Sequence, residues 1–380
     1  MCERKLFRNL CEGSGEKAER DMRRALAICC WHRAECSAAV VRQILETKAE
    51  NLKTVWQNVA CKYTLPSMSQ GVWEGDEIEQ HYNVQKISLL CPGDPHYPEQ
   101  LYVLKSPPIL GVKGRVELLK KAQMAVVGSR HTIESSRYLT PVIADALMMS
   151  GYMITSGGAI GIDALAHRQA MAREQPTIVV SALGTEHIYP KENADIFDYA
   201  AQCGALVSQF PNKGLNHKPN FPQRNDVIAG LSLGVVVVQC PAKSGALYTV
   251  NAARRFQRPV FAAAMPGFEP LTEGGLACVK KKEAVLLSSS HDLALMTQHT
   301  PKQRQIDFGL FQCAKVQPAV LPDMMMSKTQ VEILKCISNS AMTRELLRQN
   351  MHFPEDFDEA ILELELNGQI KINAGLVQRE

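Results

Sequence analysis

The chain reads as an α/β protein built on a doubly wound parallel sheet, with a smaller domain on each side. Three observations predict this. Between Gln123 and about Ser290, short apolar runs alternate with helical patterns. The runs are continuously apolar, as in strands buried on both faces. Loops rich in glycine and polar residues follow the runs, at the strand ends where such sheets bind ligands. Right-handed crossovers complete the winding.

The elements come in this order. Residues 1–85 are expected to be a small helical domain, because MRRALAICC, SAAVVRQILE and AENLKTVWQNVA carry helical spacing. The turn-rich LPSMSQGVWEGDE then places a boundary near 65–85. The Pro-rich segment 91–114 is expected to be extended and packed against the chain after it. The core domain spans 86–300. Its predicted strands are 124–128, 152–156, 177–182, 205–209, 234–239 and 260–264. A helix ends at Gly151 and accommodates Pro141 if its first turn starts near Tyr138. Further helices are expected over 160–172, 194–202, from Asn225 onward and over 247–256. Residues 210–225 read as a sixteen-residue loop. After a Gln/Pro-scattered linker (300–322), residues 322–380 suggest three helices and a strand pair, a winged-helix-like pattern.

Composition narrows the function. No apolar run reaches the roughly 18 residues that span a bilayer, and MCERKLFRNLCEGSGEK lacks the apolar core of a signal peptide. The twelve cysteines include no CxxC pair. They read as small buried hydrophobes in a reducing, cytoplasmic compartment, with no metal site. Net charge is only +3, but residues 81–321 hold 24 basic and 17 acidic residues. A polyanion is therefore favoured at the middle of the chain.

Four motifs carry chemistry. Gly128-Ser129-Arg130 follows the first core strand, where glycine admits a ligand to the backbone and arginine offers a planar fork to phosphate. It also reads as a tight strand-to-helix turn, and it lacks the GxGxxG of a dinucleotide site. Ser156, Gly157, Gly158 and Gly161 form a second such loop; Asp163 and His167, four apart on the next helix, can pair locally, or Asp163 can act near the helix start. Lys243-Ser244-Gly245 is a further anion cradle or a solvated lysine, without Walker A spacing. Phe221, Arg224 and Asn225 combine a ring that fits a core or stacks on an unpaired base with groups that pair a carboxylate or hold phosphate. Arg254, Arg255, Arg258 and Lys280–Lys282 read as solvated faces or as an extension of a basic track.

As an ordered set, PHYPEQL (95–101), GSR (128–130), SGGAIGIDALAH (156–167), LGTEHIYPKEN (183–193), FPQRNDVIAGLS (221–232), KSGALYTVNAA (243–253) and VFAAAMPG (260–267) resemble the DprA/Smf family, DNA-processing protein A. The resemblance covers roughly 90–290. It implies a Rossmann-like domain that binds single-stranded DNA, dimerises through that domain and loads RecA in natural transformation, in the cytoplasm and without a cofactor. Its DNA contacts map here to Arg130, Phe221, Arg224, Asn225, Lys243, Ser244 and Gly245. It also implies an N-terminal sterile-alpha-motif-like or helix-hairpin-helix module, although no hairpin glycine is evident. Gly158, Ile160 and Asp226 depart from the family pattern, and two of these remove a cation. Within the winged-helix-like end, PEDFDEAILELE (354–365) holds six acids and no base, so a protein contact is expected there.

Two enzymatic readings compete. A phosphoribohydrolase acting on nucleoside monophosphates also cradles phosphate on glycine loops. It needs a positioned carboxylate, and PAKSGALYTV (241–250) has none. A nuclease or ATP-driven motor needs an acidic metal cluster or a Walker A loop, and neither is visible. The expected function is a non-catalytic single-strand binder.

Overall fold

The computed structural model describes residues 16–33, 36–212, 219–265, 270–288, 328–337 and 342–349, then 357, 361, 364, 370–373 and 376–379. The chain divides into two compact units, Met1–Cys313 and Ala314–Glu380.

The first unit opens with four helices: α1 (Glu16–His32), α2 (Ala38–Glu46), α3 (Ala49–Tyr63) and α4 (Met68–Val84). Their buried face runs from Ala25 to Trp31 on α1 and joins Ile44, Trp56 and Tyr82. Helix α4 is a correction, because the sequence placed a turn-rich boundary there. Its glycines serve helix contact instead. A Cβ on Gly75 would lie 2.0 Å from the Ala25 carbonyl oxygen, and one on Gly71 2.6 Å from the Trp56 ring. Both let α4 approach its neighbours closely.

The sheet has nine strands: β1 (Ile87–Leu90), β2 (Leu110–Gly114), β3 (Gln123–Val127), β4 (Met153–Ser156), β5 (Thr177–Ser181), β6 (Ala205–Ser208), β7 (Gly234–Val237), β8 (Val260–Ala263) and β9 (Val285–Leu287). Their spatial order is β1-β2-β6-β5-β4-β3-β7-β8-β9. From β3 onward every pairing is parallel, while β1–β2 and β2–β6 are antiparallel. The sheet is therefore Rossmann-like with an antiparallel extension that the sequence did not predict. The helices between strands are α5 (Glu134–Met149), α6 (Ile162–Ala172), α7 (Ala194–Cys203), α8 (Asn220–Leu231), α9 (Ala246–Arg255) and α10 (Glu273–Lys280). Strands β3, β4, β5, β6, β7 and β8 are buried at every position, which is why they read as unbroken apolar runs.

Two helix starts correct the sequence reading. Helix α5 begins at Glu134, so Pro141 lies in its interior rather than its first turn. That leaves the carbonyl four residues earlier without its helical donor. Helix α8 begins at Asn220, so Phe221, Arg224 and Asn225 ride a helix and not a loop. Pro222 falls in its first turn, where proline's missing N–H costs nothing. The Pro-rich segment contains a 3₁₀ turn, Glu99–Val103, after Pro98. It packs on α8 as expected: a Cβ on Gly230 would lie 2.6 Å from Leu104 and 2.9 Å from Leu101.

The second unit contains α11 (Lys328–Cys336), β10 (Met342–Thr343), α12 (Arg344–Gln349), β11 (Ile370–Asn373) and β12 (Leu376–Arg379), with sheet order β10-β12-β11. Phe357, Ile361 and Leu364 are helical and buried in its core. The rest of 354–365 and the 300–322 linker lie outside the described residues. Among the described residues, the nine cysteines form no disulfide, no His/Cys/Asp/Glu group has metal-binding geometry, and no helix is long and apolar enough to cross a membrane.

Candidate nucleic-acid interface

The chain reverses its winding at β3. It first builds leftward through β4, β5 and β6, then returns to place β7 on the other side of β3. The crevice at such a reversal is where open α/β sheets hold ligands. Here it joins the loops after β3, β4 and β7. Gln239, just beyond β7, ties two of them. Its backbone oxygen accepts from Ser129 N at 2.7 Å. Its side chain donates to the His131 oxygen at 2.9 Å and accepts from Ile133 N at 3.2 Å. Ile162 N, at the head of α6, donates to the Ser129 oxygen at 3.1 Å. The three loops are one hydrogen-bonded body.

The predicted glycines prove to be points of close approach. Gly128 admits Ile162, whose Cγ1 would lie 2.5 Å from an added Cβ. Gly161 has φ +87 and would set a Cβ 2.2 Å from the Ser129 oxygen. Gly157 accommodates Arg224, whose Nη1 would be 2.4 Å from a Cβ.

The polar residues divide into two groups. The first is buried. The Ser156 hydroxyl is fully buried and donates to the Val126 oxygen at 2.6 Å, so it faces the sheet and not a ligand. Ser129 is buried, and its hydroxyl accepts from His131 N at 3.1 Å. Arg224 is 7 % exposed and donates from Nη1 to the carbonyls of Gly157 and Val180, both at 2.6 Å. Asn225 accepts from Arg224 Nε at 3.2 Å and donates to the Gly245 oxygen at 3.4 Å. Arg224 and Asn225 thus bind α8 to the ends of β4 and β5 and to the residue before α9. The motif resemblance implies a DNA contact for both; in the structure Arg224 Nη1 and Asn225 Nδ2 donate to backbone carbonyls, while Arg224 also lines the cleft. Burial lowers the Arg224 pKa to about 10, with Asp163 opposing that shift and Arg130 adding to it. Asp163 is raised by burial and held down by Arg224 and the N–H groups of Ala159 and Gly157. Its Oδ2 accepts from Gly157 N at 3.1 Å and Ala159 N at 3.4 Å. Asp163 and His167 do not pair. His167 Nδ1 lies 2.7 Å from Thr177 Oγ1, which itself donates to the Ile154 oxygen. The imidazole therefore donates from Nδ1, and its Nε2 has no partner.

The second group is open. Arg130, Lys243 and Gly245 are exposed, and Ser244 is half-buried. The Ser244 hydroxyl accepts from Ala246 N at 3.2 Å and so satisfies the first N–H of α9. A Cβ on Gly245 would touch nothing within 4 Å. Phe221 is half-buried on α8 and meets Tyr189 edge-on, with ring centroids 6.0 Å apart. The Arg224 guanidinium lies 6.0 Å from the Phe221 ring centre. Arg130, Ile160, Tyr189, Phe221 and Arg224 line a cleft of about 50 Å³. A cavity of roughly 150 Å³ holds one benzene ring. The cleft is therefore too small to enclose a nucleobase.

Sequence reasoning missed Tyr189, 49 % exposed, and Gln239. Tyr189 stands in the LGTEHIYPKEN motif without a charge or spacing cue. Gln239 was signalled by a polar end to an apolar strand. Of the departures from the family pattern, Asp226 is paired with Arg255 at 2.5 Å, so its charge is balanced. Gly158 has φ +67 and would place a Cβ 2.9 Å from the Phe197 ring. Arg254 pairs Glu283 at 2.8 Å.

Comparison with known proteins agrees with this architecture. The family model described as DNA recombination-mediator protein A matches residues 88–298. Protein Smf of Escherichia coli is 37% identical over 208 residues, covering 54% of this chain and 55% of that protein. DNA processing protein DprA of Bacillus subtilis is 29% identical over 262 residues, covering 68% of this chain and 86% of that protein. The match to Protein Smf of Synechocystis, 36% identical, spans 56% of that protein's length. The solved structure of DNA processing protein A from Helicobacter pylori, a study of its single-stranded DNA binding mode, superposes with TM-score 0.52 at 26% identity. It covers 57% of this chain and 98% of the H. pylori chain. The Streptococcus pneumoniae protein of the same name shares the fold at TM-score 0.57 and 24% identity, over 74% of this chain and 97% of that one.

Proposed function

Since the chain belongs to the DNA recombination-mediator protein A family, we propose that it binds single-stranded DNA at the carboxyl edge of its sheet and breaks no bond there. The observation that carries this reading is the convergence of exposed Arg130 with the Tyr189–Phe221 pair around one cleft, with a second exposed cation, Lys243, on the loop after β7. Cations on adjoining loops follow a phosphate backbone, and aromatic rings take unpaired bases without regard to sequence. The H. pylori relative, whose structure concerns single-stranded DNA binding, supports the same ligand. Asp163, at the start of α6, holds two backbone N–H groups and so acts as a structural anion, which favours binding over catalysis.

The wider role follows the family: a cytoplasmic homodimer, paired through the Rossmann-like domain, that protects incoming DNA and hands it to RecA in natural transformation. The Ala314–Glu380 unit is read as winged-helix-like and as a protein contact, because acids dominate 354–365.

Stacking is tested with single strands carrying 2-aminopurine. Wild-type protein is expected to quench or shift its fluorescence, and Phe221→Ala to weaken binding by about 1–3 kcal/mol. An unchanged signal and affinity in Phe221→Ala rules stacking out.

A further inference from the structure

We propose that the N-terminal helical layer is a positioning element for the aromatic part of this interface, acting through Trp31, Tyr82 and Asn212. This rests on the single-strand reading above. Trp31 on α1 and Tyr82 on α4 are buried and pack ring on ring at 5.6 Å. Each directs its polar tip to the same short segment after β6. Trp31 Nε1 donates to the Gln209 oxygen at 2.8 Å, and the Tyr82 hydroxyl accepts from Asn212 N at 2.9 Å. Buried indole and phenol groups need such partners. Here both partners belong to one loop at the carboxyl edge.

That loop passes the constraint on. Asn212 Oδ1 accepts from Thr185 N at 2.7 Å and Glu186 N at 3.3 Å, in the loop after β5. Gly184, at φ +88, would bring a Cβ within 2.2 Å of Asn212 Oδ1, so the two loops lie in direct contact. Ser208 Oγ supports both, accepting from Gly184 N at 3.2 Å and Phe210 N at 3.1 Å. Three residues beyond Glu186, the same loop carries Tyr189 to Phe221. The contacts run without a break from helical layer to aromatic mouth. Two buried atoms at the junction, Thr185 Oγ1 and Asn212 Nδ2, have no hydrogen-bond partner among the described residues. A loop held ready before the strand arrives lowers the ordering cost of binding.

The test uses the full chain, oligo-dT binding across a salt series, and amide exchange at Thr185 and Glu186. Tyr82→Phe removes one oxygen and no charge. It is expected to weaken oligo-dT binding about 3–10-fold, leave the salt slope unchanged, and speed exchange at both amides. In a Phe221→Ala background its effect on affinity should vanish. Faster exchange with wild-type affinity, or an undiminished effect in that background, overturns the proposal. Should Tyr82→Phe not fold, Asn212→Asp, which keeps the acceptor, is expected to bind better than Asn212→Leu; equal binding overturns it. Arg130→Ala separates the two readings. Weak binding there beside normal binding in Tyr82→Phe defeats this inference alone, while normal binding in Arg130→Ala defeats the single-strand reading.

Discussion

Two arginines share one cleft and do opposite work. Arg224 is buried, and its Nη1 donates to two carbonyls. Arg130 is exposed at the rim, with its guanidinium open to solvent. The floor of the cleft is thus tied to the backbone by buried hydrogen bonds, and the rim presents exposed side chains. An arginine beside a glycine loop is not by itself a phosphate contact. Its burial and its backbone partners decide which role it has.

Substitutions in the floor should cost stability, and those at the rim should cost binding. The largest effect is expected for Gly161→Ala, because this position needs φ +87 and a Cβ there lies 2.2 Å from the Ser129 oxygen. A loss of about 4 kcal/mol or more is expected, read from urea unfolding. A stable Gly161→Ala protein would show that the β4 loop can move freely against the β3 loop.

Acid should act on the floor as well. Burial first, then Arg224 and Arg168, lowers the His167 pKa to about 3. The unfolded state takes up this proton near pH 6.5 and the folded state only near 3. Stability from His167 is therefore complete above about pH 6.5 and falls by roughly 1.4 kcal/mol per unit as the pH drops toward 3. His167→Asn should flatten urea midpoints measured over that window, and an equal slope in both proteins would break the assignment.

Arg224→Met should lose about 2–3 kcal/mol, because two buried carbonyls lose their donor and Asp163 loses a cation. The smallest effect belongs to Asp226→Asn. Its exposed partner Arg255 makes the pair worth about 1 kcal/mol or less, and unfolding midpoints should barely move.

Much of the fold was legible because burial writes itself into composition. Each of the six predicted strands lies within two residues of its observed position, since a short all-apolar run bounded by turn residues fits little besides a buried strand. Helix α4 was hidden because Gly71 and Gly75 look like turn residues when they are helix contacts. The start of α8 was hidden because Pro222 marks a first turn as readily as a loop. For the site, the sequence marked loops that meet where the sheet reverses its winding, but not the division between floor and rim. That division depends on neighbours far along the chain, such as Val180 for Arg224 and Val126 for Ser156. Trp31 and Tyr82 carried no sequence cue for the same reason, since their partners Gln209 and Asn212 lie far along the chain.

Whether the rim holds the strand is decided by its salt dependence. Affinity for single-stranded DNA is followed against salt for the wild type and for Arg130→Ala/Lys243→Ala, with urea midpoints alongside. Two lost phosphate contacts should make the logarithmic salt slope shallower by about 1.4 in the double variant, with the midpoint unchanged. A slope equal to wild type, at the same midpoint, would mean that these cations do not touch the DNA backbone.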